Sequence, residues 1–146
     1  MTGATMSDLA DVQAIRDLQI TYAYLIDNGA YDDLDQIFTA DAVGDFDRAG
    51  LVEGVAAIQA LCRQALEPLT AAQHLNANHL ARIEGDTATA SCYLRVHLYR
   101  EGTPGGDHLK MGGRYDDQLV RTDRGWRIKR RKLTLLWSEG NPDVRW

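Results

Sequence analysis

The residues Thr87–Tyr99 alternate without a break. Ala88, Ala90, Cys92, Leu94, Val96 and Leu98 fall on one face, and Thr89, Ser91, Tyr93, Arg95, His97 and Tyr99 on the other. A period of two sustained this long defines a β-strand with one buried face. At about 3.3 Å per residue the run extends ~40 Å, too long to lie flat across a domain of this size. The sheet that contains it must therefore curl. The turn signal Glu84-Gly85-Asp86-Thr87 implies an antiparallel partner made from residues 73–83. A second hairpin is expected from residues 109–122 and 126–137 around Asp123-Arg124-Gly125, with Gly102-Thr103-Pro104-Gly105-Gly106 as a mobile loop between the two hairpins.

The first half of the chain has a helical period instead. Residues 8–27 carry Val12, Ile15, Tyr22 and Ile26 on one face, with Ser7 or Asp8 available as N-cap and Asn28-Gly29 as the stop. Residues 32–38 read as a short second helix whose Asp32, Asp33 and Asp35 favour its positive end, and residues 42–46 as a short strand. Val55–Leu66, between Gly54 and Pro68, is a third helix with Val55, Ile58, Leu61, Cys62 and Leu66 on a core stripe. Helices first and an antiparallel meander last predict an α+β domain in which helices cover one face of a curved sheet. The open end of such a sheet is a natural pocket, apolar inside with a few polar groups. Residues 8–137 are expected to form the domain, with 1–7 a flexible N-terminus and 138–146 a C-terminal tail.

A length of 146 residues suits one domain with a real core. No apolar run approaches the roughly 18–20 residues that cross a bilayer, and Met1-Thr2-Gly3-Ala4-Thr5-Met6 lacks the pattern of a secretory signal. A cytoplasmic protein is expected. The formal net charge of −5 argues against nucleic-acid binding, and the basic run Arg127, Lys129, Arg130, Arg131 and Lys132 reads mostly as a solvated strand face. Cys62 and Cys92 have neither metal-ligand nor redox spacing and suit small buried apolar residues. No glycine-rich strand-to-helix fingerprint or converging ligand set is present, so no catalytic metal, flavin or nicotinamide is expected.

Two residues stand out for chemistry. Asp27 ends the first helix, where the negative end of the helix dipole disfavours a carboxylate, and a residue that breaks a local rule invites a functional reading. His74 can take and return a proton without a cofactor. On a regular strand His74, Asn76 and Asn78 share a face and His79 points away, which disfavours a metal held by both histidines. An aspartate bonded to one imidazole nitrogen fixes the tautomer and stabilises the imidazolium, making a general base. Their separation in sequence says nothing of their distance in space. Of the remaining polar residues, Asn78 either bonds a ligand or satisfies a buried backbone group; His97 lines the pocket or stays on the surface. His79 and His108 read as structural, and Trp126 and Trp137 as core or interface.

Ile15-Arg16-Asp17-Leu18, Tyr22-Ala23-Tyr24-Leu25-Ile26-Asp27 and Phe38-Thr39-Ala40-Asp41-Ala42 together resemble the opening of the SnoaL-like branch of the nuclear transport factor 2-like superfamily. The resemblance continues through Gly54, His74-Leu75-Asn76-Ala77-Asn78, Gly85-Asp86, Gly113-Arg114-Tyr115, Gly125-Trp126-Arg127-Ile128 and Arg131, and so covers about residues 8–137. It rests on order and spacing rather than on any one motif. It implies a cone-shaped α+β fold with a deep pocket and association into homodimers or homotrimers. Within the family the chain is similar to scytalone dehydratase, lindane dehydrochlorinase and bile-acid 7α-dehydratase, which use an aspartate at the first-helix end and a histidine on the following long strand. Asp27 and His74 fall on those positions. Tyr22 matches a tyrosine of the bile-acid enzyme and Arg131 an arginine of the dehydrochlorinase.

The expected function is a cofactor-independent lyase acting on a hydrophobic, cyclic or aromatic small molecule. His74 would act as base, Asp27 as its orienting partner, and Tyr22 or Arg131 as an aid to an anionic oxygen, with Asn78, His97 and Tyr24 as substrate contacts. Elimination of water leads. Isomerisation or cyclisation through an enolate and retro-aldol release of formaldehyde from a lignin-derived diaryl compound need the same base. A noncatalytic ligand-binding or assembly domain is the alternative from another class. Neither nucleic acid nor membrane is expected as a partner, and association is expected through the outer sheet face.

Overall fold

A computed structural model describes residues 5–145. Helix α1 (Met6–Asp27) opens on a capping box: the Asp8 amide donates to Thr5 Oγ1 at 3.1 Å and the Thr5 amide to Asp8 Oδ2 at 2.9 Å. Thr5 rather than Ser7 or Asp8 is thus the N-cap. Of the expected flexible N-terminus, residues 1–4 lie outside the described residues, Thr5 is the cap, and residues 6 and 7 open the helix. The buried face holds Ile15, Gln19, Tyr22, Ala23 and Ile26, so a polar residue fills the gap between Ile15 and Tyr22. The helix stops where Asn28 caps it and Gly29 takes φ +73°, a left-handed conformation open to glycine at little steric cost.

Residues Tyr31–Gln36 form a 3₁₀ turn, shorter and tighter than the helix expected there, and the chain enters strand β1 (Phe38–Asp45) directly. The short strand β2 (Leu51–Glu53) carries no readable alternation in its three residues and was not expected. Helix α2 (Val55–Leu66) follows. Strands β3 (Ala71–Glu84), β4 (Thr87–Tyr99), β5 (His108–Thr122) and β6 (Gly125–Gly140) then make the meander. The sheet order is β2-β1-β6-β5-β4-β3, antiparallel except where β1 runs parallel to β6. That pairing joins the two halves of the chain and leaves β3 as a free edge.

On β4 the six residues expected inside, Ala88 to Leu98, are all buried. The long strands bend at irregularities between Gly112 and Gly113, between Gln118 and Leu119, and between Ala77 and Leu80. These bulges let the sheet curve around α1 and form an unclosed cone. The segment after Trp137 is not a loose tail: β6 runs on to Gly140, and Val144 in the turn Pro142–Arg145 is fully buried. Trp146 lies outside the described residues.

Gly113 sits at one bend, where an added Cβ would lie 2.6 Å from the Thr134 carbonyl oxygen, a backbone atom that cannot swing aside. Gly113→Ala should therefore cost about 1–3 kcal/mol in urea unfolding. A loss under ~0.5 kcal/mol would show that the bend relaxes freely.

Cys62 and Cys92 are free and buried, and burial pushes both thiols up to about 11. Because the thiolate is the reactive form, both should resist a thiol reagent at mildly alkaline pH until the protein unfolds. Rapid labelling of either residue in the native protein would contradict this.

Candidate active site

The end of α1 abuts β3, and the two elements meet through Asp27. Its Oδ1 lies 2.6 Å from His74 Nδ1, while its Oδ2 accepts the His74 backbone N–H at 2.7 Å. Both carboxylate oxygens are thus engaged by one residue, which fixes the plane of the carboxylate and the imidazole together. An ionised carboxylate only accepts, so Nδ1 carries the proton and Nε2 presents a lone pair. Among the described residues nothing hydrogen-bonds to that Nε2. The two side chains are largely withdrawn from solvent, 9% exposed for His74 and 16% for Asp27. The geometry is that of an oriented imidazole base.

Both residues line a cavity of about 730 Å³. Its wall mixes apolar Ile20, Ala23 and Ala72 with polar Gln73 and Asn76. Tyr24 lies at its lip, 68% exposed. No helix of the described residues is long and apolar enough to cross a membrane, and no group of three or more His, Cys, Asp or Glu among them could hold a metal ion.

Asn78 is not on the face of His74. It has φ +55° at the bulge where β3 pairing shifts, and the extra residue reverses the parity of everything after it. Asn78 is therefore exposed, whereas His79 turns inward on the side of His74 and Asn76. The expectation that His79 points away fails for the same reason. Its Nδ1 meets Gln19 Oε1 at 2.7 Å and its Nε2 the Asn76 carbonyl at 3.2 Å, so its role is structural. Burial lowers its pKa.

Tyr22 and Arg131 are brought together, but away from this cavity. Arg131 is fully buried and pairs with Asp117, Nε to Oδ1 at 2.7 Å and Nη2 to Oδ2 at 2.8 Å. Its guanidinium lies 4.4 Å from the Tyr22 ring centroid and 4.1 Å from that of Tyr115. Burial opposes the guanidinium charge, yet the Asp117 carboxylate prevails and holds the Arg131 pKa above its ordinary value. Burial also raises the Tyr22 and Tyr115 phenols well above theirs. The Tyr22 hydroxyl is 3.9 Å from Cys62 Sγ, and Arg131 Nη1 has no hydrogen-bond partner among the described residues. Sequence reasoning missed Asp117 and Gln19, whose Nε2 donates to Asp117 Oδ2 at 3.1 Å. The available signal was parity: Asp117 alternates with Tyr115 and Leu119 on the buried face of β5.

His97 lies on the outer face of the sheet with Tyr93 and Tyr99, and its Nε2 is 2.8 Å from His108 Nδ1. Both histidines line the outer part of the same cavity, which passes around the free edge of β3.

A domain arranged in this way is a helix-lined, curved-sheet cone, and known proteins share that fold. Residues 7–132 match the family model for the SnoaL-like domain. An uncharacterised protein of Mycobacterium tuberculosis, Rv2910c, is 34% identical over 139 residues, covering 92% of each chain. Among solved structures, Kfla4162 of Kribbella flavida superposes with a TM-score of 0.86 at 25% identity, covering 93% of this chain and 97% of that one. The hexachlorocyclohexane dehydrochlorinase LinA type 2 gives a TM-score of 0.82 at 18% identity, covering 91% and 90%, a likeness of fold. The chain belongs to the SnoaL-like family, within the nuclear transport factor 2-like fold.

Proposed function

We propose that this protein is a cofactor-independent lyase that eliminates water from a hydrophobic cyclic or aromatic small molecule. The observation that carries the reading is the 2.6 Å contact of Asp27 Oδ1 with His74 Nδ1 in the wall of the cavity, together with the unengaged Nε2. In the reaction Nε2 removes a proton from a carbon next to the one that bears the leaving hydroxyl. The C–H electron pair becomes the new double bond as the C–O bond breaks, and the imidazolium returns its proton to the departing oxygen, so that water leaves and His74 is restored. Asp27 stabilises the imidazolium in between. LinA, by its name, performs an elimination too; its likeness to this chain is one of fold, and the proposal rests on the dyad.

The same base serves isomerisation through an enolate and retro-aldol cleavage, which differ in what leaves. Tyr22 and Arg131 would reach a developing oxyanion only after the Tyr22–Tyr115 packing opens, with Nη1 as the group left to receive it. A panel of cyclic alcohols, β-hydroxy ketones and lignin-type diaryl compounds, assayed in deuterated water, tests the proposal. An accepted compound should lose its hydroxyl together with one hydrogen from the adjacent carbon and take up no deuterium on carbon. Turnover without any proton removal from carbon would overturn it.

A homodimer or homotrimer is proposed, joined through the outer sheet face around Tyr93 and Leu80, which are 51% and 71% exposed with no covering layer among the described residues. Light scattering at micromolar concentration should give two or three chains, and Tyr93→Asp should shift the population towards monomer. A wild-type monomer would contradict this.

A further inference from the structure

The cavity that holds Asp27 and His74 has a second cluster of titratable groups at its outer end. His97 on β4 and His108 on β5 join through Nε2 and Nδ1 at 2.8 Å, and the Tyr99 ring stacks on His108 at 4.9 Å between centroids, inclined by 24°. The other two nitrogens, His97 Nδ1 and His108 Nε2, have no partner among the described residues. The proposed mechanism uses none of these atoms.

Counting protons shows what the pair can bind. Two neutral imidazoles carry two N–H groups, and one of these is spent on the internal bond. Outward they present one donor and one acceptor, whichever ring donates. One added proton changes this: the internal bond persists, both outward nitrogens become donors, and the pair carries a positive charge. Two donors with one charge complement a carboxylate, which offers two acceptor oxygens and one negative charge. Around the pair, Lys110 is the β5 partner of His97 and has Glu139 of β6 opposite it, Gln73 is the β3 partner of His97, and Tyr99 covers His108. From α1 and its cap, Tyr24, Asp27 and Asn28 line the same cavity, and the Asp27 carboxylate is already occupied by His74. The path between the two ends passes exposed Tyr24 and Leu75, surfaces suited to an apolar body.

We propose that His97 and His108 form an acid-binding subsite of the cavity, so that the substrate class is a hydrophobic ring compound bearing a carboxylate. The proposal rests on the Asp27–His74 reading for the chemistry but stands on binding alone. The ligand's carboxylate brings one proton onto the histidine pair, its ring lies against Tyr24 and Leu75, and its reacting carbon reaches round the β3 edge towards His74.

The test is equilibrium binding of two probes of one shape, 2-naphthoate and uncharged 2-naphthamide, by calorimetry at pH ~7.5, where two ordinary imidazoles are largely neutral, in buffers of different ionisation enthalpy. Naphthoate should bind about ten-fold more tightly or better, in line with charge-assisted hydrogen bonds, and its heat should report uptake of close to one proton. His97→Gln and His108→Gln, with native circular dichroism, should each bring the ratio of the two affinities close to unity. His74→Ala should leave the ratio as in wild type, so that failure of acid recognition is told apart from failure of the base, which turnover reads. Equal binding of the probes, acid preference without proton uptake, preference that survives both glutamine variants, or no binding of naphthoate at about 10 mM would each overturn the subsite.

Discussion

His74→Ala should lower turnover of an accepted substrate by about 10²–10⁴-fold while leaving the unfolding transition nearly in place. The side chain lines a cavity rather than filling the core, so its loss removes proton transfer more than packing. Asp27→Asn should be nearly as damaging. The amide keeps the size of the carboxylate, but it cannot stabilise an imidazolium, and its NH₂ offers a donor where His74 Nδ1–H needs an acceptor. The His74 backbone N–H also loses a charged partner at 2.7 Å, so this variant should lose some stability that His74→Ala does not. Steady-state kinetics and thermal melts on the two variants separate these effects. Wild-type turnover by both would end the proposal of a general-base dyad.

The second large effect concerns stability. Asp117→Ala leaves the Arg131 guanidinium fully buried with no counter-charge, a change that costs about 3–5 kcal/mol in buried pairs. Against a total of about 5–15 kcal/mol for a native domain, much of the stability goes, and at roughly 2–4 °C per kcal/mol the melting temperature should fall by about 6–20 °C. Removing both partners is different. Asp117→Leu combined with Arg131→Met deletes the desolvation cost along with the attraction, and should recover most of the loss, because apolar groups then pack between Tyr22 and Tyr115. A single Asp117→Ala loss below ~1 kcal/mol would show that water reaches Arg131 and that the cluster is less closed than it stands here.

The long alternation of β4, the hairpin turns, the two α-helices and the stop after Asp27 were all legible because each is a local pattern. Alternation sets which face of one strand is buried, and Asn28-Gly29 sets where one helix ends, with no knowledge of the rest of the chain. The role of position was legible at Asp27 for the same reason, since a carboxylate at a helix end is locally unfavourable. His74 needed the family resemblance to rise above an ordinary strand histidine.

What local pattern could not supply was anything that depends on a bulge or a long-range pairing. One extra residue at Asn78 exchanges the faces of Asn78 and His79, and the irregularity between Gln118 and Leu119 shifts β6 so that Ile128 and Arg131, which plain alternation separates, both face inward. A reading by strict alternation therefore fails on both strands at the residue where pairing slips. The parallel pairing of β1 with β6, the burial of Val144, and the meeting of Gln19, Asp117 and Arg131 in one buried chain are contacts between distant segments, and no short window encodes them. By itself the sequence determined the two α-helices, the four strands of the meander and the candidate base. The tertiary structure alone decided which polar side chains the curled sheet turns inward and that Asp27 reaches His74, because curvature and register arise from the pairing of six strands with one another and the packing of α1 on β3 and β6.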